Sequence, residues 1–413
     1  MNRLVLIGNG FDLAHGLKTS YKDFIYWYWD KRVDSFSGNT TSVSEDCLCK
    51  LTVNDANTRC WNVFLFENSY FRDRQRNRTC SGYDVMKYIQ NNPGRFSYNP
   101  SQFFDAILHS IETKKWVDIE NEYYKLLEQY TLVQYSEEEI TKLNKQLAYL
   151  QELLTEYLTE VNNQEIVKNK KIQDKIYAPI DCQDISVGAR SIIDDFIIDC
   201  QTKDNKLWEK RLFDYDIINT RQYSFLHEID DYKKDPIEHP DIPRSYRLPE
   251  SIMFLNFNYT KTADMYQKSA DIFSQIHIHG ALHNPAGMIF GYGDEFDDKY
   301  RRLQALNNNE CLANIKTIKY QESDNYRRVL QFIESAPFQV YIMGHSCGNS
   351  DRTLLNTIFE HDNCISIKPF FYKKEDGSDS YIEIIQNISR NFNDMKLMRD
   401  RVVNKLYCEA LTE

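Results

Sequence analysis

Asparagine and histidine side chains stand at the ends of two apolar runs that are predicted to be strands. Asn256 and Asn258 alternate at the end of the first run, so both project to the same side. His277 and His279 alternate in the second run, and Gly280 ends it. An amide can orient a ligand or a water molecule, and an imidazole can take up or release a proton near neutral pH. This pattern favours a site for proton transfer on a bound small molecule.

Each of these side chains also has a purely structural interpretation. The asparagines could cap a helix that starts near Lys261, and His277 could be a hydrogen-bonded core residue. His277, His279 and His283 could together bind a metal ion, but no carboxylate or thiolate at ligand spacing completes that set. We therefore expect no metal here.

A glycine turn near the start of the chain offers a different chemistry. An apolar run over residues 4–7 ends in Gly8, Asn9 and Gly10, and a helix is predicted over residues 11–28. Such a turn lets backbone amides approach a phosphate at a helix N-terminus. Many strand-to-helix turns use glycine only for its backbone freedom, and Leu13 stands where a dinucleotide fingerprint has its third glycine. The turn alone leaves both interpretations open.

A further polar turn follows the apolar run at residues 340–343. Gly344, His345 and Ser346 begin it, and Asp351 lies at its end. Its small residues leave room for a ribose or an adenosine, but it also resembles the nucleophile elbow of hydrolases. The hydrolase hypothesis lacks a clearly placed downstream acid and histidine, since His361 is the only later histidine. We therefore favour a binding role for this turn.

Alternating strand and helix patterns at both ends of the chain predict an α/β fold with an open, mostly parallel sheet. The later strands are predicted at residues 252–257, 275–278, 288–290, 338–343 and 365–372. Helices are predicted at residues 261–269, 324–335, 351–361 and 381–405. The unbroken apolar character of residues 4–7 implies cover on both faces, so that strand should be central.

The stretch from residue 31 to residue 249 differs in character and is predicted to be a large, mainly helical insertion. Residues 1–30 and 250–413 would then be the two parts of the α/β core. One helix of the insertion carries apolar residues at steps of three and four, namely Ile140, Leu143, Leu147, Leu150, Leu154, Tyr157 and Val161. Residues 116–132 are predicted to form its antiparallel partner in a helical hairpin.

The composition of the 413 residues disfavours several classes of protein. Hydrophobic residues make up 42% and aromatic residues 14%, which excludes general disorder. A net charge of −11 argues against nucleic acid or an acidic membrane as partner. A local arginine cluster could still bind nucleic acid, but a solvated loop is the simpler interpretation; it comprises Arg72, Arg74, Arg76 and Arg78.

Location is predicted from what the sequence does not contain. No run reaches the roughly 18 apolar residues that a membrane span needs, and the start lacks a signal-peptide pattern. We therefore expect a cytoplasmic protein whose ten cysteines are reduced.

Taken in order, the polar segments resemble the motif series of the sirtuin-like NAD-binding superfamily. The stretch from Gly8 to Asp12 is similar to a Gly-Ala-Gly-x-Ser turn. Asn256 to Thr260 resembles a Thr-x-Asn-Tyr-Asp strand end, and Ile278 to Gly280 resembles a Leu-His-Gly strand end. Gly344 to Ser346, followed by Asp351, resembles the late Gly-Tyr/His-Ser and its aspartate.

A closer resemblance narrows the family. The opening from Leu6 to Tyr21 resembles the AbiH-type phage abortive-infection proteins, as does Gly344 to Ser346 with Asp351. Within the predicted insertion, Trp116 to Glu120 looks like an element of the same family.

The resemblance implies an antiviral defence protein that binds NAD as its substrate and hydrolyses the nicotinamide–ribose bond without a metal. Asn258 would orient the water and the nicotinamide ribose, and His279 would accept a proton from a ribose hydroxyl or the water. The implied NAD-binding residues are Gly8, Asn9, Gly10, Phe11, Asp12, Asn256, Tyr259, Gly280, Gly344, His345, Ser346 and Asp351. Among them, the glycine turn would cradle the pyrophosphate, and the turn after residue 343 would face the adenosine side.

The chain departs from the family pattern at two positions. Asp12 stands where sirtuins have serine, and Thr260 stands where defence-type relatives have aspartate. The paired-cysteine zinc ribbon of deacylating sirtuins is missing, which disfavours a protein deacylase. The alternative to an enzyme is a non-catalytic sensor of NAD or an ADP-ribose derivative. In either case the insertion could contact a phage-derived activator or a partner protein, and a homo-oligomer stays open.

Overall fold

A five-stranded parallel sheet forms the centre of the computed structural model, which describes residues 1–67, 80–114, 118–202, 247–270, 272–295 and 297–413. Its strands are β1 (Asn2–Ile7), β5 (Ile252–Asn256), β6 (Phe273–His277), β7 (Phe338–Met343) and β8 (Cys364–Phe370), in the order β6-β5-β1-β7-β8. The predicted open α/β fold with a helical insertion is confirmed.

Strand β1 lies in the middle of this sheet, between β5 and β7. Leu4 and Leu6 belong to one apolar cluster, whereas Val5 and Ile7 belong to another. Because successive side chains point to opposite faces of a strand, both faces of β1 are covered. The sequence correctly predicted a central, fully buried strand.

Helices connect and cover the strands of the parallel sheet. They are Asn9–Ala14, Asp298–Ala305, Lys316–Lys319, Asn325–Ser335, Arg352–Phe359, Tyr381–Arg390 and Met395–Arg401. Short 3-10 turns occupy Thr262–Tyr266 and Asn349–Asp351, both just beyond strand ends.

Four local predictions about these elements were wrong. The helix expected over residues 261–269 is only the 3-10 turn Thr262–Tyr266, and the helix expected over residues 381–405 divides into Tyr381–Arg390 and Met395–Arg401. The helix expected over residues 11–28 is interrupted after Ala14, since Gly16 adopts φ +80° and Ser20 caps a second helix, Tyr21–Asp34. Residues 288–290 are not a strand. Ile289 donates one backbone hydrogen bond to His279, just past the end of β6.

The segment predicted as the insertion contains helices and one small antiparallel sheet that was not foreseen. The sheet has the order β2-β3-β4, with β2 at Val43–Glu45, β3 at Cys49–Val53 and β4 at Phe96–Pro100. The helices after Asp34 are Trp61–Glu67, Gly82–Gln90, Gln102–Lys114, Ile119–Glu128, Glu137–Asn162, Lys170–Ile176 and Arg190–Thr202. The arginine cluster at residues 72–78 lies outside the described residues.

The long helix Glu137–Asn162 packs through the stripe that the sequence predicted. All seven predicted apolar residues of the stripe are buried. Tyr123, on the helix Ile119–Glu128, donates to the Asn144 side chain at 2.7 Å, so these two helices are neighbours as expected. Of the predicted partner stretch, residues 116 and 117 lie outside the described part.

The insertion shares its apolar core with a segment that follows β6. Phe290, Tyr292 and Ile315 pack in the same cluster as the long helix. Tyr124 stacks on Tyr292 with ring centroids 4.0 Å apart. This contact joins the helix Ile119–Glu128 to the segment that follows β6.

Candidate functional site

Polar segments identified in the sequence meet at the carboxyl edge of the parallel sheet. Gly8 follows β1, Asn258 follows β5, His279 follows β6 and His345 follows β7. The side-chain amide of Asn258 donates to the Gly8 carbonyl at 2.9 Å. The ring of Phe257 lies 5.3 Å from that of His279 and 4.0 Å from that of His345, between centroids. The strand order therefore assembles distant segments at one place.

The glycine turns after β1 and β7 pack directly on each other. A Cβ atom on Gly10 would lie 2.8 Å from Gly344 Cα, and one on Gly344 would lie 2.1 Å from the Phe11 nitrogen. Gly344 also has φ +78°. The amide of Gly10 donates to the Gly344 carbonyl at 2.8 Å, and those of Gly8 and Phe11 also donate to backbone carbonyls. These glycines are needed for turn-to-turn contact, and the pyrophosphate cradle stays a prediction.

A chain of charged side chains runs from the end of β6 towards the insertion. His279 Nε2 lies 3.1 Å from Asp351 Oδ1, and Lys316 Nζ lies 2.9 Å from that same oxygen. Lys316 Nζ also lies 3.0 Å from Glu120 Oε2. The other Glu120 oxygen accepts from the Gly291 amide at 3.0 Å. We call His279, Asp351, Lys316 and Glu120 the charged cluster.

Every side chain of the charged cluster is buried, so each charge needs its partner. Lys316 is only 1% exposed, and the Asp351 and Glu120 carboxylates raise its pKa against the effect of burial. Although burial alone would raise it, Lys316 and His279 hold the pKa of Asp351 well below its usual value. The pair of Lys316 and Asp351 is therefore ionised.

The other two members of the charged cluster are His279 and Glu120, and their pKa shifts favour the neutral form of each side chain. Burial and the Lys316 ammonium lower the pKa of His279 to about 4, so its imidazole is neutral near pH 7. Burial, helped by the Asp351 and Asp118 carboxylates, raises the pKa of Glu120. A neutral imidazole beside an ionised carboxylate can accept a proton.

Neighbours of the charged cluster come from both the insertion and the core. Asp118 caps the helix Ile119–Glu128 by accepting from Asn121, and burial raises its pKa. Tyr320 places its hydroxyl 3.2 Å from His279 Nε2. The Glu120, Asp118 and Asp351 carboxylates all add to the rise that burial causes in the pKa of Tyr21. The insertion thus contributes acidic groups to the edge of the sheet.

Sequence reasoning missed Glu120, Lys316 and Tyr320 as site residues. Glu120 had a signal, because it ends the stretch from Trp116 that resembles the family. Lys316 and Tyr320 lie in a charged stretch without a motif, and only the fold brings them to His279 and Asp351.

The end of β5 forms a second, largely uncharged group beside the charged cluster. Asn256 Oδ1 accepts from the Asn258 backbone amide at 2.9 Å. Thr260 donates to Asp12 Oδ2 at 2.7 Å. Both Asp12 and Asn256 are 1% exposed. Asp12 and Thr260, the two departures from the family pattern, are therefore direct partners.

The remaining predicted residues surround this edge with different exposures. Tyr259 donates its hydroxyl to the Ile289 carbonyl at 2.8 Å, and Gly280 turns the chain with φ +79°. His345 accepts from the Cys347 amide through Nδ1, which leaves Nε2 3.7 Å from an Asp351 oxygen. Asn9 and Ser346 are exposed, and Phe11 is buried.

The structure also places the residues of two alternative hypotheses. His277 is bonded on both ring nitrogens, to the Asn258 carbonyl at 3.0 Å and to Gln275 at 2.7 Å. Within the ranges that the structure describes, no group of three or more His, Cys, Asp and Glu side chains could hold a metal ion. In the elbow-like turn, His345 bonds to the Cys347 amide, and the Ser346 side chain is exposed.

A cleft of about 440 Å³ lies elsewhere, among helices of the insertion. It is lined by Gln102, Gln129, Tyr130, Gln134, Ser136, Glu139, Lys142, Leu143 and Gln146. None of the predicted site residues lines this cleft.

Most of the chain matches a known protein family. The family model described as "Bacteriophage abortive infection AbiH" matches residues 4–373 of the 413. No curated protein and no solved structure matches the chain. Over the described residues, no helix combines the length and apolar character that crossing a membrane requires.

Proposed function

The chain belongs to the bacteriophage abortive infection AbiH family, and we propose that it acts in that defence by hydrolysing NAD at the nicotinamide–ribose bond. The observation that carries the proposal is the convergence of Gly8, Asn258, His279 and Asp351 at the carboxyl edge of a parallel sheet. Open α/β sheets bind their ligands at this edge. The same residues resemble the NAD-binding motif series of sirtuin-like proteins.

The charge balance of the site supports cleavage of a glycosidic bond. Positive charge develops on the ribose as the bond to nicotinamide breaks, so fixed negative groups stabilise the transition state. Asp351 supplies an ionised carboxylate next to the Lys316 ammonium. Glu120 and Asp118, whose pKa values burial raises, add negative charge as the pH increases.

His279 is suited to accept a proton from a ribose hydroxyl. Its neutral ring has Nε2 next to Asp351 and Tyr320, and Asp351 is ionised. A proton on Nε2 would satisfy that carboxylate and leave Nδ1 as the lone-pair nitrogen. Asp351 would then orient His279 and stabilise the imidazolium form, as an acid next to a catalytic histidine does.

Asn258 is suited to hold the attacking water. Its amide nitrogen is anchored by the Gly8 carbonyl, and its backbone amide is anchored by Asn256. With the nitrogen side fixed in this way, Oδ1 is the group that can accept from a water or a ribose hydroxyl. A rigid acceptor beside the ribose supplies orientation, which is a large part of catalysis in such reactions.

A sensor that binds NAD or ADP-ribose without cleavage is the second candidate function. Burial of the charged cluster favours it, because His279, Lys316 and Asp351 are each less than 10% exposed. The two functions differ in one product. Cleavage releases nicotinamide, and sensing does not.

Nicotinamide release from NAD tests the proposal directly. Purified chain should be assayed alone and with extract of phage-infected cells, beside the His279→Ala, Asn258→Ala and His283→Ala variants. We expect the first two to lose roughly 10²-fold or more in turnover, as removal of a positioned proton-transfer group does. The exposed His283 is the matched control and should retain wild-type turnover. If the wild type binds NAD but releases no nicotinamide under either condition, the sensor function replaces the enzyme.

A further inference from the structure

Asp12 is a buried side chain, and its contacts do not explain why an acidic residue occupies this position. It lies on the helix Asn9–Ala14, directly after β1, and is 1% exposed. One oxygen, Oδ2, accepts from Thr260 at 2.7 Å. The other, Oδ1, is buried and has no hydrogen-bond partner among the described residues.

The groups around Asp12 are hydroxyls and amides. The Thr260, Thr262 and Asn258 side chains favour its ionised form, and none of them carries a charge. Burial outweighs their effect and raises the pKa of Asp12 to about 6. His15, three residues further along, is bonded instead to the Phe11 carbonyl and the Tyr266 hydroxyl.

Two other buried aspartates are neutralised by lysines, and a third, Asp294, is paired with Arg352. Asp184 lies 2.9 Å from Lys368, and Asp351 lies 2.9 Å from Lys316. Over the described ranges Asp12 forms no ion pair with a lysine, arginine or histidine. A buried charge without a partner costs folding free energy, so a position kept only for packing would be better served by a neutral residue. Perturbed carboxylates of this kind are typical of functional sites.

Asp12 interacts with the residue proposed to hold the attacking water. The Asn258 side chain favours the ionised form of Asp12, and the Asn258 backbone amide donates to Asn256 Oδ1 at 2.9 Å. Asn256 has its own buried amide nitrogen, Nδ2, without an acceptor among the described residues. Asn258 thus interacts with two side chains, and each of them has one buried polar atom without a partner among the described residues. An acceptor and a donor of this kind can together bind and polarise a water molecule.

We propose that Asp12 is a further catalytic residue, whose Oδ1 removes a proton from the water that attacks the ribose. This rests on the proposed NAD hydrolysis. The water oxygen forms a bond to the ribose C1′ while the bond from C1′ to the nicotinamide nitrogen breaks, and that nitrogen keeps the electron pair. Neutral nicotinamide and ADP-ribose result, and the water proton passes to Asp12 and then to solvent. His279 is left to act on the ribose hydroxyl.

The test compares Asp12→Asn with the wild type in nicotinamide release, in NAD binding by calorimetry, and in pH dependence. Asp362→Asn, an exposed aspartate in the same chain, is the matched control. We expect Asp12→Asn to bind NAD within a few-fold of wild type and to lose roughly 10²-fold or more in turnover. Wild-type turnover should rise with pH through about 6, because the base must be deprotonated, and the variant should lack this rise.

Each outcome separates the two proposals. Wild type that never releases nicotinamide overturns the proposed function and the base with it. If the wild type is active and Asp12→Asn keeps near-normal turnover and an unchanged pH profile, the Asp12 proposal alone is overturned. If Asp12→Asn does not fold, the wild-type profile decides, since a rate that is flat between about pH 5 and 8 excludes a base of this pKa.

Discussion

Replacing Asp12 by asparagine should stabilise the folded chain at neutral pH. The pKa of Asp12 rises from 3.8 to about 6 on folding, and a shift of one pKa unit corresponds to about 1.4 kcal/mol. A group whose pKa is raised by folding favours the folded state below the unfolded pKa and loses that contribution as the pH rises through the folded pKa. At about pH 7.5 the ionised carboxylate therefore costs about 3 kcal/mol, which asparagine avoids.

The pH dependence of this difference is its signature. Near pH 5 the carboxyl is already mostly protonated in the folded chain, so the advantage of Asp12→Asn should shrink to about half of that value. Urea unfolding of wild type, Asp12→Asn and Asp362→Asn at the two pH values measures it, with the exposed control expected to stay within about 0.5 kcal/mol of wild type. The reasoning would be refuted if Asp12→Asn were less stable than wild type at pH 7.5. It would also be refuted if the difference in free energy of unfolding were the same at both pH values.

Other substitutions test the packing of the charged cluster and of the glycine turns. Lys316→Met should cost about 3–5 kcal/mol in the free energy of unfolding, because it leaves buried carboxylates without a cation. Lys319→Met on the same short helix is the control, and a similar loss from both would contradict the ion-pair argument. Gly377→Ala should cost about 1–2 kcal/mol from positive φ alone, since no atom lies within 4 Å of its Cβ position. Gly344→Ala should cost at least about twice as much, because its Cβ would also meet the Phe11 nitrogen; equal losses in thermal or urea unfolding would show that the turns separate freely.

The sequence predicted the centre of the fold because the relevant patterns are local. An unbroken apolar run identified β1 as a strand covered on both faces, and its neighbours in the sheet carry the same pattern. Alternating polar residues at strand ends identified Asn258 and His279. Carboxyl ends of neighbouring parallel strands lie at one edge, so these residues had to be brought together once the sheet formed.

The rest of the site depends on contacts that no local pattern encodes. Glu120 and Lys316 are 196 residues apart, and their pairing follows from how the insertion packs on the segment after β6. The small sheet of the insertion was missed because its strands are short and half exposed, with β2 having only three residues. Residues 288–290 have the apolar composition of a strand, but they lie beyond the end of β6 at His277. Ile289 donates one backbone hydrogen bond to His279 there, and no strand forms.

The two carboxylates bonded to Lys316 have pKa values shifted in opposite directions, and their other contacts explain the difference. Asp351 also accepts from His279, so two donors meet the same oxygen and its charge is well compensated. Glu120 has the Gly291 amide as its additional donor and faces Asp118 and Asp351, so like charges and burial push its pKa upwards. As the pH falls, Glu120 takes up a proton while Asp351 stays ionised. The contact between His279 and Asp351 is therefore maintained by a full negative charge across the neutral range, and the group that changes charge belongs to the insertion.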